Sequence, residues 1–369
     1  MKRLIFPLIL FLIPIASANA DSSVVITEPT HRNAEGVFLN DELALGITPE
    51  GRLGRLLFDR NASVNTFTLD VGTLEEIQDL ADGYSYIDAN GETIEVPELL
   101  IAEIFLSTLR SSVVGKKVLA LPYGNPDKAF LVNRSQSEYE YLKRAGVERL
   151  TALLALENLE VRSTDSLDLG GKASKSAKTL SDSYRRDLRA IFSIAPAPEV
   201  ASLRLQLGQL LNPSISKVSS IPLYESLAAA LKENESKLKI ARGNYTITTS
   251  NYDLPVTVIN NYSIPLSVEL IARPTNSRIV VGSAPNVTIP ANSQSQVEIP
   301  LKIIASGDTQ IELKLHGLNG RQVGEVEYIP LRLAVISPLT TWFTTGMAII
   351  LLLAAVIQSM RRVKKRKKL

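Results

Sequence analysis

The chain contains no cysteine. That absence excludes disulfide scaffolds, thiolate zinc sites, iron–sulfur clusters and cysteine nucleophiles together. Histidine is nearly missing too, with His31 and His316 far apart in the chain. No His-x3-His pair exists, which argues against zincin-type sites and metal-dependent deacetylases. Neither Gly-x-Gly-x-x-Gly nor Gly-x4-Gly-Lys-Ser/Thr occurs, so no nucleotide-phosphate cradle is expected. Gly170-Gly171-Lys172 lacks the spacing and reads as a flexible loop. These absences predict no cofactor and no bound metal. Aromatic residues make up only 6% of the chain, and Trp342 is the only tryptophan.

Charge of one sign is scarce in one place. The tail RRVKKRKKL, 361–369, has no acidic residue, and all 38 acidic residues precede it. A mildly acidic body with a basic tip argues against nucleic acid as a partner. At 45% hydrophobic and 21% charged, the 369 residues have the composition of folded protein and suffice for two or three domains.

The two ends predict a location. Lys2 and Arg3 precede an apolar run from Leu4 to Ile15, and Ala18-Asn19-Ala20 gives the small-x-small pattern of a cleavage site. This reads as a signal peptide, 1–20, with Asp21 as the first mature residue. No charged residue lies between Arg332 and Arg361. A helix over 338–360 reaches roughly 30–35 Å at ~1.5 Å per residue, enough for a bilayer core. Trp342 and Phe343 stand at an interfacial depth, and the basic tail marks the cytoplasmic side. The expected protein is single-pass, with its body outside the cytoplasm. An ectodomain without cysteine suits a bacterial envelope. Six Asn-x-Ser/Thr sequons, at Asn61, Asn133, Asn234, Asn244, Asn261 and Asn286, and a dilysine-like Lys365/Lys367 point the other way.

Between the ends, two patterns follow each other. Residues 243–335 alternate apolar and polar side chains, as in SQVEIPLKII (295–304) and TQIELKL (309–315), with Asn319-Gly320 as a hairpin turn. Seven or eight short strands read as an antiparallel, Ig-like β-sandwich. Residues 21–240 read as an α/β and helical ectodomain, with a reduced β/α barrel as one form of it. VNTFTLD (64–70) and KKVLAL (116–121) are the expected strands. Thr73-Leu74-Glu75-Glu76 reads as a capping box for a helix to about Ala81. Pro97 opens a helix through Arg110, and Ser137 to Glu140 cap another that ends near Gly146. Pro198 and Pro222 start helices further on, and 163–178 and 212–220 read as loops.

The chemistry left available is that of carboxylates. Asp70 ends the first strand, and Asp127 closes the LPYGNPD loop after the second. Ligands of α/β folds lie beyond the carboxyl ends of strands. Two carboxylates there could hydrolyse a glycoside, which makes a carbohydrate-active hydrolase the alternative function. Aspartate in these positions equally caps turns and helices. In the loop, Tyr123 and Asn125 are candidate ligand-binding residues.

DELALGITPEGRLGRLL (41–57), TFTLDVGTLEEIQDLADGYSY (66–86) and VLALPYGNPDKAFL (118–131), with the sandwich, its tryptophan, the apolar segment and the basic tail, form a combination. It resembles an uncharacterised family of actinobacterial membrane-anchored envelope proteins. Members carry a domain of unknown function and are typically encoded near the MurJ-type lipid II flippase. The resemblance implies a role in cell-wall or polysaccharide assembly and assigns no reaction. Two positions depart from the family pattern: Val71 stands where proline is usual, and Asn125 where an acid is usual. The leading expectation is an envelope protein whose body binds a protein or glycan partner.

Overall fold

The computed structural model describes residues 23–59, 64–190, 197–283, 285–317, 320–334 and 338–366. The expected signal peptide and the Asn61 sequon lie outside the described residues, as does the side chain of Trp342. The chain divides into two compact units. The first comprises the described residues up to Ala173 together with Gly208–Ser219, and the second comprises Ser174–Leu207 and the chain from Ser220 onward.

The first unit is α/β. Its elements are β1 (Ser23–Ile26), α1 (Glu42–Gly46), α2 (Arg52–Phe58), β2 (Thr66–Leu69), α3 (Val71–Asp82), β3 (Tyr84–Ile87), β4 (Thr93–Val96), α4 (Leu100–Ser112), β5 (Lys117–Ala120), α5 (Lys128–Leu154) and β6 (Val161–Ser163). Four strands form one parallel sheet in the order β1-β2-β5-β6. Their order follows the chain, as in barrel-type winding, but the described sheet is open. The central strand β2 is buried along its whole length, as a strand covered on both faces must be. Ile26, Phe67, Leu69, Leu74, Ile77, Leu80, Phe105 and Leu109 form the core around it. β3 and β4 make a separate antiparallel hairpin that the sequence reading did not anticipate.

Several local expectations are corrected. Helix α3 begins at Val71, and its N-cap is Asp70, which accepts a hydrogen bond from Gly72 N at 3.1 Å. The residues read as a capping box lie inside the helix: the Thr73 hydroxyl sits 3.2 Å from Glu28 O and 3.3 Å from Asp70 Oδ2, and Glu76 is buried. Helix α5 starts earlier and ends later than the sequence suggested. Asp127 caps it, Ser135 interrupts its backbone at φ −164°, and it runs through Gly146 to Leu154. Gly146 is not a stop but a close approach. A Cβ there would lie 2.1 Å from Leu121 O, so only glycine lets the helix meet the strand end. The polar stretch after β6 is a loop only to Ala173.

The second unit carries α6 (Lys175–Asp187), α7 (Pro198–Leu210), α8 (Lys217–Glu235), β7 (Leu238–Ile240), β8 (Tyr245–Ile247), β9 (Asn251–Asn260), β10 (Leu266–Pro274), β11 (Ile279–Val281), β12 (Asn286–Ile289), β13 (Ser293–Ile303), β14 (Gly307–Gly317), β15 (Gln322–Leu333) and α9 (Pro338–Arg366). Ser174 caps α6 through Ala177 N. Pro222 lies inside α8 rather than at its start. The nine strands form two sheets, β12-β10-β14-β15-β8 and β11-β13-β9-β7. Strict alternation puts Val297, Ile299, Leu301 and Ile303 of β13 and Ile311, Leu313 and Leu315 of β14 in the interior. This is the expected antiparallel β-sandwich.

The sandwich takes a strand from ahead of Gly243. β7 pairs with β9, buries Leu238 and Ile240, and follows a turn in which the Tyr262 hydroxyl donates to Asn234 O at 2.6 Å. A fragment from Ser236 to Ala334 should therefore melt well above one from Gly243 to Ala334. Losing two buried aliphatic side chains costs about 3 kcal/mol or more, a shift on the order of 10 °C for a domain of this size. Circular dichroism melts of the two fragments check this; equal midpoints would mean that β7 contributes nothing to the sandwich.

Helix α9 is exposed where its side chains are described, from Thr345 to Met360. Ile349, Ile350, Leu351, Leu352 and Leu353 are all exposed. Five consecutive residues cover the whole circumference of a helix, so this one is apolar all round. Among the described residues, no helix is long and apolar enough to cross a membrane.

Candidate functional site at the carboxyl ends of the parallel strands

Each strand of the parallel sheet delivers polar residues to one edge. β1 runs into Thr27-Glu28-Pro29-Thr30-His31, β2 into Asp70, β5 into the LPYGNPD loop and β6 into Thr164-Asp165-Ser166. Asp70 is the centre of this edge and is almost fully buried. Its Oδ1 accepts from Gly72 N and from Gly124 N at 3.0 Å. Its Oδ2 faces the hydroxyls of Thr73 and, at 3.5 Å, Thr27. Burial pushes the Asp70 carboxyl up to about 6, against the opposing pull of these donors. The cap of α3 thus also ties β2 to the loop after β5.

Glu76, one and a half turns further along α3, is the second buried carboxylate. It accepts from the Thr30 hydroxyl at 2.6 Å, His31 N at 2.9 Å and Gln209 Nε2 at 3.0 Å. Burial raises its pKa, and the charge of Arg32 acts in the opposite direction. Sequence reasoning missed Glu76 as a site residue because it looked like the last member of a capping box. Its spacing from Thr73 and Leu80 places it on the buried face of α3, and that was the available signal.

The chain itself closes this edge. Asn212 Nδ2 donates to Gly124 O at 2.9 Å, and Asp127 N donates to Leu211 O at 2.9 Å. Gln209 and Asn212 are both buried. Gly124 has φ +75°, and a Cβ there would lie 2.5 Å from the Cα of Gln209. The residues Gln209 to Asn212 are therefore seated directly on the loop after β5.

The residues expected to form a site are placed as follows. Asp127 caps α5 through Phe130 N at 2.9 Å, and its other oxygen accepts from Ala173 N at 3.1 Å. Tyr123 is 2% exposed; its hydroxyl donates to Glu75 Oε2 at 2.7 Å, and the Arg149 guanidinium lies 5.8 Å from its ring. Burial, reinforced by the Glu75 charge, raises the Tyr123 pKa well above that of free tyrosine. Asn125 has φ +47° and no exposed surface. Asparagine tolerates this left-handed conformation better than most residues, and its Oδ1 accepts from Leu167 N at 2.9 Å. The structure thus joins Asp70 to the LPYGNPD loop, while Tyr123 and Asn125 are enclosed beneath the surface. Among the described residues, no group of histidine and acidic side chains is arranged to hold a metal ion.

Beside this edge lies an open cleft of about 410 Å³. Its walls come from the start of α5 and from the loop after β6. At its margin Asp165 accepts from both Lys128 at 2.7 Å and Lys143 at 3.1 Å. These two ammonium groups hold the Asp165 carboxyl down to about 2.

Parts of the chain are similar to known structures. The ASH/PapD-like domain of human CEP192 matches at 13% identity over 27% of this chain and 86% of that chain, with a TM-score of 0.21. WR4, a C. elegans MSP family member, matches at 12% identity over 27% of this chain and 98% of that one, with a TM-score of 0.21. The E. coli chaperone DraB matches at 16% identity over 27% of this chain and 57% of that one, also with a TM-score of 0.21. No curated protein matches. Residues 222–367, which take in most of α8, the sandwich and α9, match a family of unknown function, DUF6049.

Proposed function

We propose that this is a single-pass envelope protein whose extracytoplasmic α/β body binds a partner and is joined to the membrane helix through the sandwich. The observation that carries the binding reading is the seating of Gln209 to Asn212 on the loop after β5. A hydrolase needs its carboxylates open to substrate and water. Here Asp70 is buried and Asp127 nearly so, each engaged by backbone N–H groups that hold the fold. A partner then engages the open cleft beside that edge. A link to cell-wall or polysaccharide assembly, and the neighbourhood of a lipid II flippase, rest on the family resemblance.

The membrane reading is supported by α9. Its exposed apolar circumference is unfavourable in water, and the uncharged sequence continues from 338 to 360, ~35 Å of helix. The basic residues after Met360 set the orientation. Protease added outside wall-stripped cells should remove the body and spare a tag placed after Leu369. A protected body with a digested tag would overturn this topology.

A further inference from the structure

The cleft beside the carboxyl ends of β5 and β6 has a chemistry that selects among partners, and this inference rests on the binding reading above. Its walls are aliphatic: Pro126, Ala129, Val132, Leu167, Leu169 and Pro213. Val132 and Leu169 are 39% and 41% exposed at its mouth, although both are large and apolar. No aromatic ring lines it, so it offers no platform on which a sugar face could stack.

The polar groups in the cleft are those that a main chain would satisfy. Lys128 and Ala129 are the first two residues of α5, and both line the cleft. The cap oxygen of Asp127 is used by Phe130 N, and the Asp127 carbonyl by Leu131 N. The N–H groups of Lys128 and Ala129 have no hydrogen-bond partner among the described residues, so two adjacent donors face outward at a helix start. A free anion is not the matching ligand, because the Asp127 and Asp168 carboxylates line the same cleft. A neutral carbonyl oxygen is. Beneath the floor, Asn125 is wholly buried and binds Leu167 N with its Oδ1, while its Nδ2 has no partner. The Ser166 hydroxyl, in the lining, is also unpartnered. Unmet donors therefore converge on the cleft from the helix start and from its floor.

We infer that this cleft binds an extended peptide segment of a protein partner, placing an aliphatic side chain between Val132 and Leu169 and a main-chain carbonyl on the N–H groups of Lys128 and Ala129. Aliphatic walls supply affinity through burial, and the paired donors fix the main chain, as in other peptide-recognition grooves.

The test uses the full chain in mild detergent, selected against a phage-displayed library of random linear peptides. Selected peptides should share an aliphatic residue. Val132→Asp and Leu169→Asp should each weaken them by about tenfold or more, since they place a carboxylate against a buried aliphatic group. Both positions are partly exposed, so folding should be retained and is checked by melting. Lys128→Pro removes one N–H at a position where proline suits a helix, and Lys128→Ala controls for the lost ammonium group. Binding to the proline variant should be about fivefold weaker than to the alanine variant. Failure to enrich peptides, or peptides that bind all variants equally, would overturn the inference. Maltohexaose and chitohexaose serve as sugar probes. Binding of either, abolished by Val132→Asp, would overturn the peptide assignment while leaving the binding reading intact. A body found on the cytoplasmic side would overturn the envelope reading and leave the peptide result standing.

Discussion

Gly124→Ala should destabilise the α/β body by about 3–5 kcal/mol, a large share of the 5–15 kcal/mol typical of a whole domain. Two effects add. Gly124 has φ +75°, a left-handed conformation that costs an L-residue about 1–2 kcal/mol. The added methyl would also stand 2.5 Å from Gln209 Cα and 2.7 Å from Gln209 N. Both are backbone atoms, so no side-chain rotation relieves the clash. Either the loop after β5 moves and Asp70 loses the Gly124 N–H, or Gln209 to Asn212 lift away. Gly91→Ala is the control. It has φ +84° with nothing within 4 Å of the new Cβ, so it should lose only the conformational part, about 1–2 kcal/mol. Urea midpoints of the body, ended before Pro338, measure both. Equal losses would mean that Gln209 to Asn212 do not rest on this loop in solution.

What could be read from the sequence follows from which forces are local. The sandwich was legible because one buried face imposes a period of two on β9, β10, β13 and β14, whatever the strands pair with. β2 and β5 were legible for a similar reason, as short apolar runs followed by turn residues. β6 was not: it is three residues long, and Arg162 and Ser163 are exposed, so no burial pattern marks it. Gly146 misled because its reason is tertiary, the close approach of Leu121 O, and not a helix end. The prolines of LPYGNPD correctly indicated a defined turn. They carried no information on exposure, and Tyr123 and Asn125 were read as cleft-lining when the turn in fact faces inward. Gln209 and Asn212 could not have been found locally, since their partners Glu76 and Gly124 are far away in sequence.

Asp70→Asn should leave the body folded, remove much of its pH dependence and preserve its cellular role. Folded Asp70 titrates near 6, against an ordinary 3.8, because burial disfavours the charge. The folded state therefore holds this proton to a higher pH than the unfolded chain does. Its contribution to stability is complete below about 3.8 and is lost as pH rises through about 6, amounting to about 3 kcal/mol. Glu76 is shifted in the same direction and reinforces the trend. Asparagine is close to the protonated form in shape. Its Oδ1 can keep the Gly72 and Gly124 N–H bonds, and its Nδ2 can donate to the Thr73 hydroxyl oxygen. The stability difference between wild type and variant, from urea unfolding, should thus change by about 3 kcal/mol between pH 4 and pH 8 in favour of the variant. Parallel curves would show that Asp70 is not held in this buried setting. The same variant decides the chemistry, because an amide can neither attack an anomeric carbon nor donate and recover a proton. Asp127→Asn is its companion: asparagine caps a helix as well as aspartate does, and only the Ala173 N–H loses its acceptor. If the α/β body is a binding module, both variants should restore function to a deletion strain. Loss of function in both, with melting temperatures unchanged, would make Asp70 and Asp127 catalytic and replace the binding reading with a hydrolase.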